Sequence, residues 1–205
     1  MQLRQRLAYE AARLMADLSL GSYDLARRKA AARLGVANKR LWPNNAEVEE
    51  ALQQQLRLFR PQQDEHLRTL RERAMDAMRA LQAFKPRLVG PVLTGTAGLD
   101  SPVQLFLFAE VPEDVALALI EQGIPWSQQE RDLRYRGGVR QRRPVFEFVA
   151  GGIRIQLLIF PVAGPRDLPL DPVTDRPQRG IGMRALQSLL EDEDVPGAQR
   201  WEMGT

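Results

Sequence analysis

The chain has 205 residues, 44% of them hydrophobic and 27% charged, enough for one large domain or two small ones around a genuine core. It has no cysteine and one histidine, His66, which excludes disulfides, thiolate nucleophiles, cysteine-ligated metals and a multi-histidine metal site within one chain. The net charge of +3 is uneven: residues 1–86 hold 16 Lys and Arg against 10 Asp and Glu, whereas residues 87–205 hold 13 against 16. Only Lys29, Lys39 and Lys85 are lysines. The arginine excess suits phosphate recognition, but a GC-rich genome produces the same excess. No apolar stretch reaches the roughly 18 residues of a membrane span. The basic N-terminus runs into an amphipathic segment containing Glu10 and Asp17, not into a secretory leader. Together with the missing cysteines, this predicts a cytoplasmic protein without membrane contact.

Four helices are predicted in the first half. Leu3, Leu7, Ala11, Leu14 and Leu18 recur at three and four residues and make one apolar stripe. Gly21-Ser22 separates this helix from the next, with Ser22 as its N-cap. The second carries Leu25, Ala30, Ala32 and Leu34 and stops at Gly35. After the Pro43-Asn44-Asn45 break, Asn44 and Glu47 have capping-box spacing. Val48, Leu52, Leu56 and Phe59 follow at helical spacing. Pro61 opens the fourth helix, striped by Leu67, Leu70, Ala74, Met78, Leu81 and Phe84, and Pro86 ends it.

The period then changes to that of strands. Arg87–Leu93 reads as a short β-run, Thr94–Gly98 as a turn and Val103–Phe108 as a buried strand. Pro112-Glu113-Asp114 opens a helix through Ile120, with acids at its positive end, and Gly123 closes it. Arg131–Tyr135, Pro144–Val149 and Ile153–Phe160 alternate around the turns Arg136-Gly137-Gly138 and Ala150-Gly151-Gly152, so two hairpins are expected. Pro161–Pro177 reads as an ordered loop or linker, Met183–Leu190 as a last short helix, Glu191–Asp194 as an acidic run and the stretch after Pro196 as a mobile tail. The expected class is α+β: a helical N-terminal region at 1–86, then an α/β domain at 87–162 whose mixed sheet of about five strands carries helices on one side, then a Pro-rich loop, short helix and tail at 163–205.

Leu93-Thr94-Gly95-Thr96 followed by Ser101-Pro102-Val103-Gln104-Leu105, set in the order helix, strand, Gly-Thr turn, strand, helix and antiparallel strands, resembles the nucleotidyltransferase superfamily that includes DNA polymerase beta. The resemblance covers about Arg87 to Pro161. It implies an Asp-apolar-Asp or Asp-apolar-Glu pair on the second strand and a third acid on a later one. Residues i and i+2 of a strand share a face, so two carboxylates there can hold Mg²⁺ against a triphosphate. Here Pro102 and Gln104 stand at the paired positions, and Arg154 and Gln156 on the later strand. The resemblance therefore implies a degenerate member without the catalytic carboxylates, a metal or another cofactor, which binds a nucleotide or RNA rather than transferring one.

The candidate ligand residues are Gly95, Thr96, Ser101, Gln104, Arg154 and Gln156. Gly95 and Thr96 either cradle a phosphate through backbone N–H groups or simply make a turn. Gln104 and Gln156 either read a base or ribose or satisfy each other inside a former cleft. Arg134, Arg136, Arg140, Arg142 and Arg143, with Arg131, crowd one hairpin: a nucleic-acid contact, or an edge strand protected by charge. Tyr135 and Trp126 either stack on bases or are buried, burial being favoured for Trp126. Arg27, Arg28, Lys29, Arg33, Lys39 and Arg40 form a second basic cluster, best read as a solvated helix face. His66 is read as a surface residue. Two other functions remain open. One is a divergent metal-dependent transferase using Glu147, Asp100 or Glu110; the other is a protein–protein adaptor or homo-oligomer built on the N-terminal helices.

Overall fold

The computed structural model describes residues 3–18, 22–57, 60–164 and 167–193. The tail after Pro196 lies outside the described residues, as do the side chains of Leu18 and Phe59. The fold is α+β. Helices α1 (Leu3–Leu18), α2 (Tyr23–Arg33), α3 (Asn45–Arg57) and α4 (Arg60–Ala80) precede a five-stranded mixed sheet. Its strands are β1 (Arg87–Val89), β2 (Val103–Phe108), β3 (Ser127–Arg134), β4 (Arg140–Ala150) and β5 (Ile153–Phe160), in the spatial order β1-β2-β5-β4-β3. A helical turn α5 (Pro91–Thr94) joins β1 to β2, α6 (Pro112–Glu121) joins β2 to β3, and α7 (Met183–Glu193) closes the described chain. Among the described residues no helix is long and apolar enough to cross a membrane.

The expected caps are present. Ser22 Oγ accepts from the Leu25 N–H at 3.3 Å. Asn44 and Glu47 exchange both capping-box bonds, at 2.7 and 2.9 Å. Glu47 also binds Arg4 in a two-bonded fork at 2.7 and 2.8 Å, fastening α1 to α3. The buried face of α2 differs from expectation: Ala26, Ala30 and Ala31 are inside, while Leu25 and Ala32 are exposed. The small alanines let α1 and α3 approach α2 closely around Leu7, Ala11, Leu14, Val48 and Leu52.

Packing groups α4 with the sheet. Leu67, Leu70, Ala74, Met78 and Leu81 share a core with Leu88, Val103, Leu105, Leu107, Ile155, Leu157 and Ile159, joined by Val115 and Leu119 of α6 and Leu186 and Leu190 of α7. All the helices on the sheet lie on this face. Between α4 and the β4–β5 turn, a mostly apolar cavity of ≈ 200 Å³ opens against Ala77, Leu81, Ile124 and Phe148. The opposite face carries a second core of Val89, Phe106, Phe108, Val145, Leu158 and Phe160, capped by Leu168 rather than by a helix.

Leu168 belongs to a strap running from the end of β5 to α7. The strap donates from Leu170 N–H to Arg134 O at 2.7 Å, turns over through Asp171–Arg176, and returns to β1, where Leu88 and Ile181 form a bridge. The expected β-run at Arg87–Leu93 is shorter than its pattern. β1 ends at Val89, because Gly90-Pro91 starts the helical turn with proline at its first position. α7 extends past Leu190 to Glu193 and takes part of the acidic run with it.

One buried side chain ties these layers together. Arg71 of α4, only 7% exposed in its side chain, donates to Val92 O at 3.1 Å and Leu93 O at 3.3 Å and pairs with Glu193 at the end of α7. Arg71→Met leaves two carbonyls and a carboxylate without their donor. Urea denaturation is expected to show a loss of about 3 kcal/mol, with Glu193→Gln milder.

Tyr23 makes the comparable bond in the helical bundle. Its hydroxyl donates to buried Glu49 at 2.5 Å. Burial pushes the Tyr23 pKa far above the ordinary tyrosine value, helped by the Glu49 hydrogen bond and by the charges of Glu49 and Asp171. Below the unfolded-state value of about 10, the hydroxyl is neutral in both states and its contribution is complete. Above it the unfolded chain loses a proton that the folded chain keeps, so stability falls as pH rises. The urea midpoint of the wild type is expected to drop above that pH, and Tyr23→Phe to give a shallower slope from a lower starting stability.

Candidate functional site

The pairing of the strands sets one row of residues across all five. Val89 of β1 lies opposite Gln104 of β2, Gln104 beside Gln156 of β5, Gln156 opposite Glu147 of β4, and Glu147 opposite Ser127 of β3. Alternation puts this row on the helix-free face, since Gln104 shares a face with Phe106 and Phe108, and Gln156 with Leu158 and Phe160. The next row, Phe106, Leu158 and Val145, is apolar and buried. The face therefore has an apolar half roofed by the strap and a polar half that the strap leaves accessible.

A directed chain of hydrogen bonds links the polar half. Gln156, 8% exposed, donates from Nε2 to Glu147 Oε2 at 2.6 Å. Its Oε1 accepts from Arg131 Nη2 at 2.8 Å and more weakly from Gln104 Nε2 at 3.4 Å. The amide of Gln156 is thus used at both ends, between a cation and a carboxylate. Burial pulls the Arg131 pKa below the ordinary arginine value, with the charge of Glu147 opposing that shift. Arg131 stays protonated at neutral pH all the same.

Gly90 makes room for this arrangement. It adopts φ 72° and ψ −159°, a region open essentially to glycine alone. A Cβ there would lie 2.6 Å from Gln104 Oε1. Sequence reasoning passed over Gly90 in favour of Gly95; the available signal was the Leu-Val-Gly-Pro string, a strand end followed by a helix start.

The remaining candidates divide. The Gly95 and Thr96 N–H groups both donate to Pro91 O, at 2.9 and 3.0 Å. Both donors are engaged in closing the helical turn. Thr96 is buried, with its hydroxyl 2.9 Å from that of Thr94. Ser101 Oγ accepts from Gly98 N–H at 2.8 Å and serves the loop before β2. Arg154 lies on the same face at the edge of the row and donates to Asp100 O at 2.8 Å.

The arginine hairpin is largely spent on its own structure. Arg142 pairs with Asp132 at 3.4 Å and Glu130 at 3.5 Å, and Arg134 pairs with Asp175 of the strap. Arg143 donates to Tyr135 Oη at 3.3 Å and to Gln141, and lies over the Phe160 ring. Arg136 and Arg140 are exposed. Tyr135 is buried and Trp126 stacks on Phe146 at 4.2 Å between centroids, so neither ring is free for a base.

In the second basic cluster, Arg28 and Arg27 face Asp24, and Arg33 pairs with Glu10 at 2.9 Å. His66 departs from the surface expectation: it is half-buried, with Nε2 3.2 Å from Gly98 O.

Asp100 and Glu110 flank opposite ends of β2, and Glu147 sits two strands away from it. Among the described residues no three acids or histidines are grouped to hold a metal ion. The chain matches no protein-family model, no curated protein and no solved structure.

The α1–α3 bundle meets the loop before β2 and the strap. Gly98, in the loop leading to β2, packs so close to Ala16 that a Cβ would come within 2.9 Å of the Ala16 carbonyl oxygen. Asn45 Nδ2 donates to Pro172 O of the strap at 2.5 Å.

Gly90→Ala is expected to cost about 1–3 kcal/mol in urea denaturation, because a Cβ forces the backbone out of its glycine-only conformation. Adding Gln104→Ala, which removes the clashing atoms, is expected to restore little of that loss. Full rescue would mean that the side-chain clash, not the backbone, sets the cost.

Proposed function

We propose that this chain is a non-catalytic, metal-independent nucleotide-binding protein built on a nucleotidyltransferase-like frame. The observation that carries the proposal is the row Gln104–Gln156–Glu147 on the open sheet face. The two strands on which the resemblance implies carboxylates lie side by side and in register, and amides stand at the facing positions. The helix–strand–turn–strand lead-in is the order from which that resemblance was drawn, and the later strand pairs with β2.

Amides alter the chemistry such a face supports. A pair of carboxylates in a half-buried position repel one another and need a cation between them. A glutamine pair is neutral and can donate as well as accept, so it suits base or sugar groups rather than Mg²⁺. Glu147 is the one acid of the row and is already held by Gln156. A lone carboxylate beside a guanidinium is a poor ligand for a divalent ion.

A small ligand on this face fits better than an RNA backbone along the hairpin. Of the hairpin arginines, Arg134 and Arg142 are paired with Asp175, Glu130 and Asp132, and the hairpin's tyrosine is buried. The adaptor alternative draws no support from the bundle's stripe, because Leu7, Ala11, Leu14, Val48 and Leu52 are buried against one another.

Isothermal titration of ATP in EDTA and in excess Mg²⁺ tests the reading. The expected outcome is binding of equal strength in both buffers, weakening as salt rises, with no pyrophosphate released. Absence of binding in both, or binding only with Mg²⁺, would sink it.

A further inference from the structure

We infer that Arg131 is the phosphate-recognising residue of this face: a tethered guanidinium that takes the anionic end of a nucleoside polyphosphate without a metal. This inference rests on the nucleotide-binding reading above.

The alternation of β3 places Arg131 on the helix-free face, directly across from Arg143. From there its side chain reaches the polar row, where Nη2 donates to Gln156 Oε1 at 2.8 Å. A guanidinium carries five N–H donors in a planar fork, and this bond uses one. The described structure gives Arg131 no other hydrogen bond and no ion pair, and none of its nitrogens is sealed from solvent without a partner. The remaining nitrogens are therefore not sealed from solvent.

The other arginines near this face bond to groups outside the polar row, Arg87 among them through the Arg179 carbonyl. Arg143 serves Tyr135 and Gln141, Arg154 serves the Asp100 carbonyl, and Arg134 is paired with Asp175. Arg71 on the helix side is saturated by two carbonyls and Glu193. Among these, Arg131 is the one bonded to the polar row, and it is half-buried.

The nearest opposing charge is Glu147. Its carboxylate is held by Gln156 Nε2 at 2.6 Å instead of bonding to the guanidinium. Gln156 thus acts as an insulator, orienting both groups while keeping the fork of Arg131 available. A cation in a partly desolvated position attracts an anion more strongly than one in water. The planar fork matches two phosphate oxygens. An arginine so placed also repels a free divalent ion.

The test is calorimetric titration, in EDTA at low salt, of ATP, adenosine and tripolyphosphate into the wild type, Arg131→Gln and Arg131→Lys. Tripolyphosphate separates recognition of the phosphate chain from recognition of the whole nucleotide. Arg131→Gln is expected to weaken ATP and tripolyphosphate by about 10–100-fold and to leave adenosine unchanged. Arg131→Lys keeps the charge without the fork and should recover part of the loss. If Arg131→Gln is too unstable to measure, the Lys variant decides: ATP must weaken more than adenosine.

If Arg131→Gln binds ATP as tightly as the wild type, the phosphate sits elsewhere and the inference fails, while the nucleotide reading stands. If the wild type binds ATP and adenosine equally and ignores tripolyphosphate, the inference again fails alone. If the wild type binds none of the three, both fall together.

Discussion

The parallel pairing of β2 with β5 is the constraint on which the rest of the structure depends. Two parallel neighbours cannot be joined by a tight turn, so the chain must travel through other elements between them. Here it passes through α6 and the β3–β4 hairpin. The central pair is covered on one face by α4, α6 and α7 and over much of the other by Phe106, Phe108, Phe160 and the strap. Strands buried on both faces become nearly continuous apolar runs, and Val103–Phe108 and Ile155–Phe160 are such runs. Each contains one polar residue in its interior or at its start, Gln104 and Gln156, and the register sets those two side by side. A polar residue retained at that depth must have its hydrogen bonds met. Gln156 meets them with Arg131 and Glu147, so the polar half of the face is organised by that strand pair.

The charge state of the row follows from the same geometry. Two carboxylates about 5 Å apart repel by roughly 3 kcal/mol at an effective dielectric constant near 20, which a bound cation must offset. Amides at both positions remove that cost, and the row then holds together with no ion supplied from outside. Arg131 and Glu147 bond opposite ends of the Gln156 amide, so the two charges are joined through it without a direct salt bridge. Arg71 shows the opposite solution. There an arginine is buried with a carboxylate and two carbonyls, every contact is structural, and the group locks α7 and α5 onto α4.

Much of this was legible in the sequence, and the failures have specific causes. The helices were marked by stripes and caps that are purely local: Ser22, the Asn44–Glu47 box and Gly35 act over one turn and need no tertiary context. The two Gly-Gly turns marked the hairpins for the same reason. Gln104 and Gln156 stood out as polar breaks in apolar runs. Gly95 was misleading because a Gly-Thr pair after an apolar residue looks alike whether its N–H groups are free or spent on Pro91 O. Gly90 was passed over because its role depends on a side chain fourteen positions away. The commitments of the hairpin arginines were hidden too, since Arg134 is matched by Asp175 from the strap. Arg71 and Glu193 are 122 positions apart, and no local pattern joins them.

The strap links the helical bundle to β1, the first strand of the polar row. Asp171 organises the turn of the strap, accepting from the Val173 and Thr174 N–H groups at 2.9 and 2.8 Å. The adjacent Pro172 carbonyl accepts from Asn45 at the start of α3. The negative charge of Asp171 also acts on Tyr23, whose hydroxyl is bonded to Glu49 in the bundle. At the other end of the strap, Gly180 lies so close to β1 that a Cβ would be 2.5 Å from Leu88 O and 2.7 Å from Val89 Cγ1. Val89 is the β1 member of the row that contains Gln104 and Gln156. A displacement of the strap would therefore act on both the bundle and the first strand of the site. Residues 167–182 are thus held to Arg134 and Asn45 at one end and to β1 at the other.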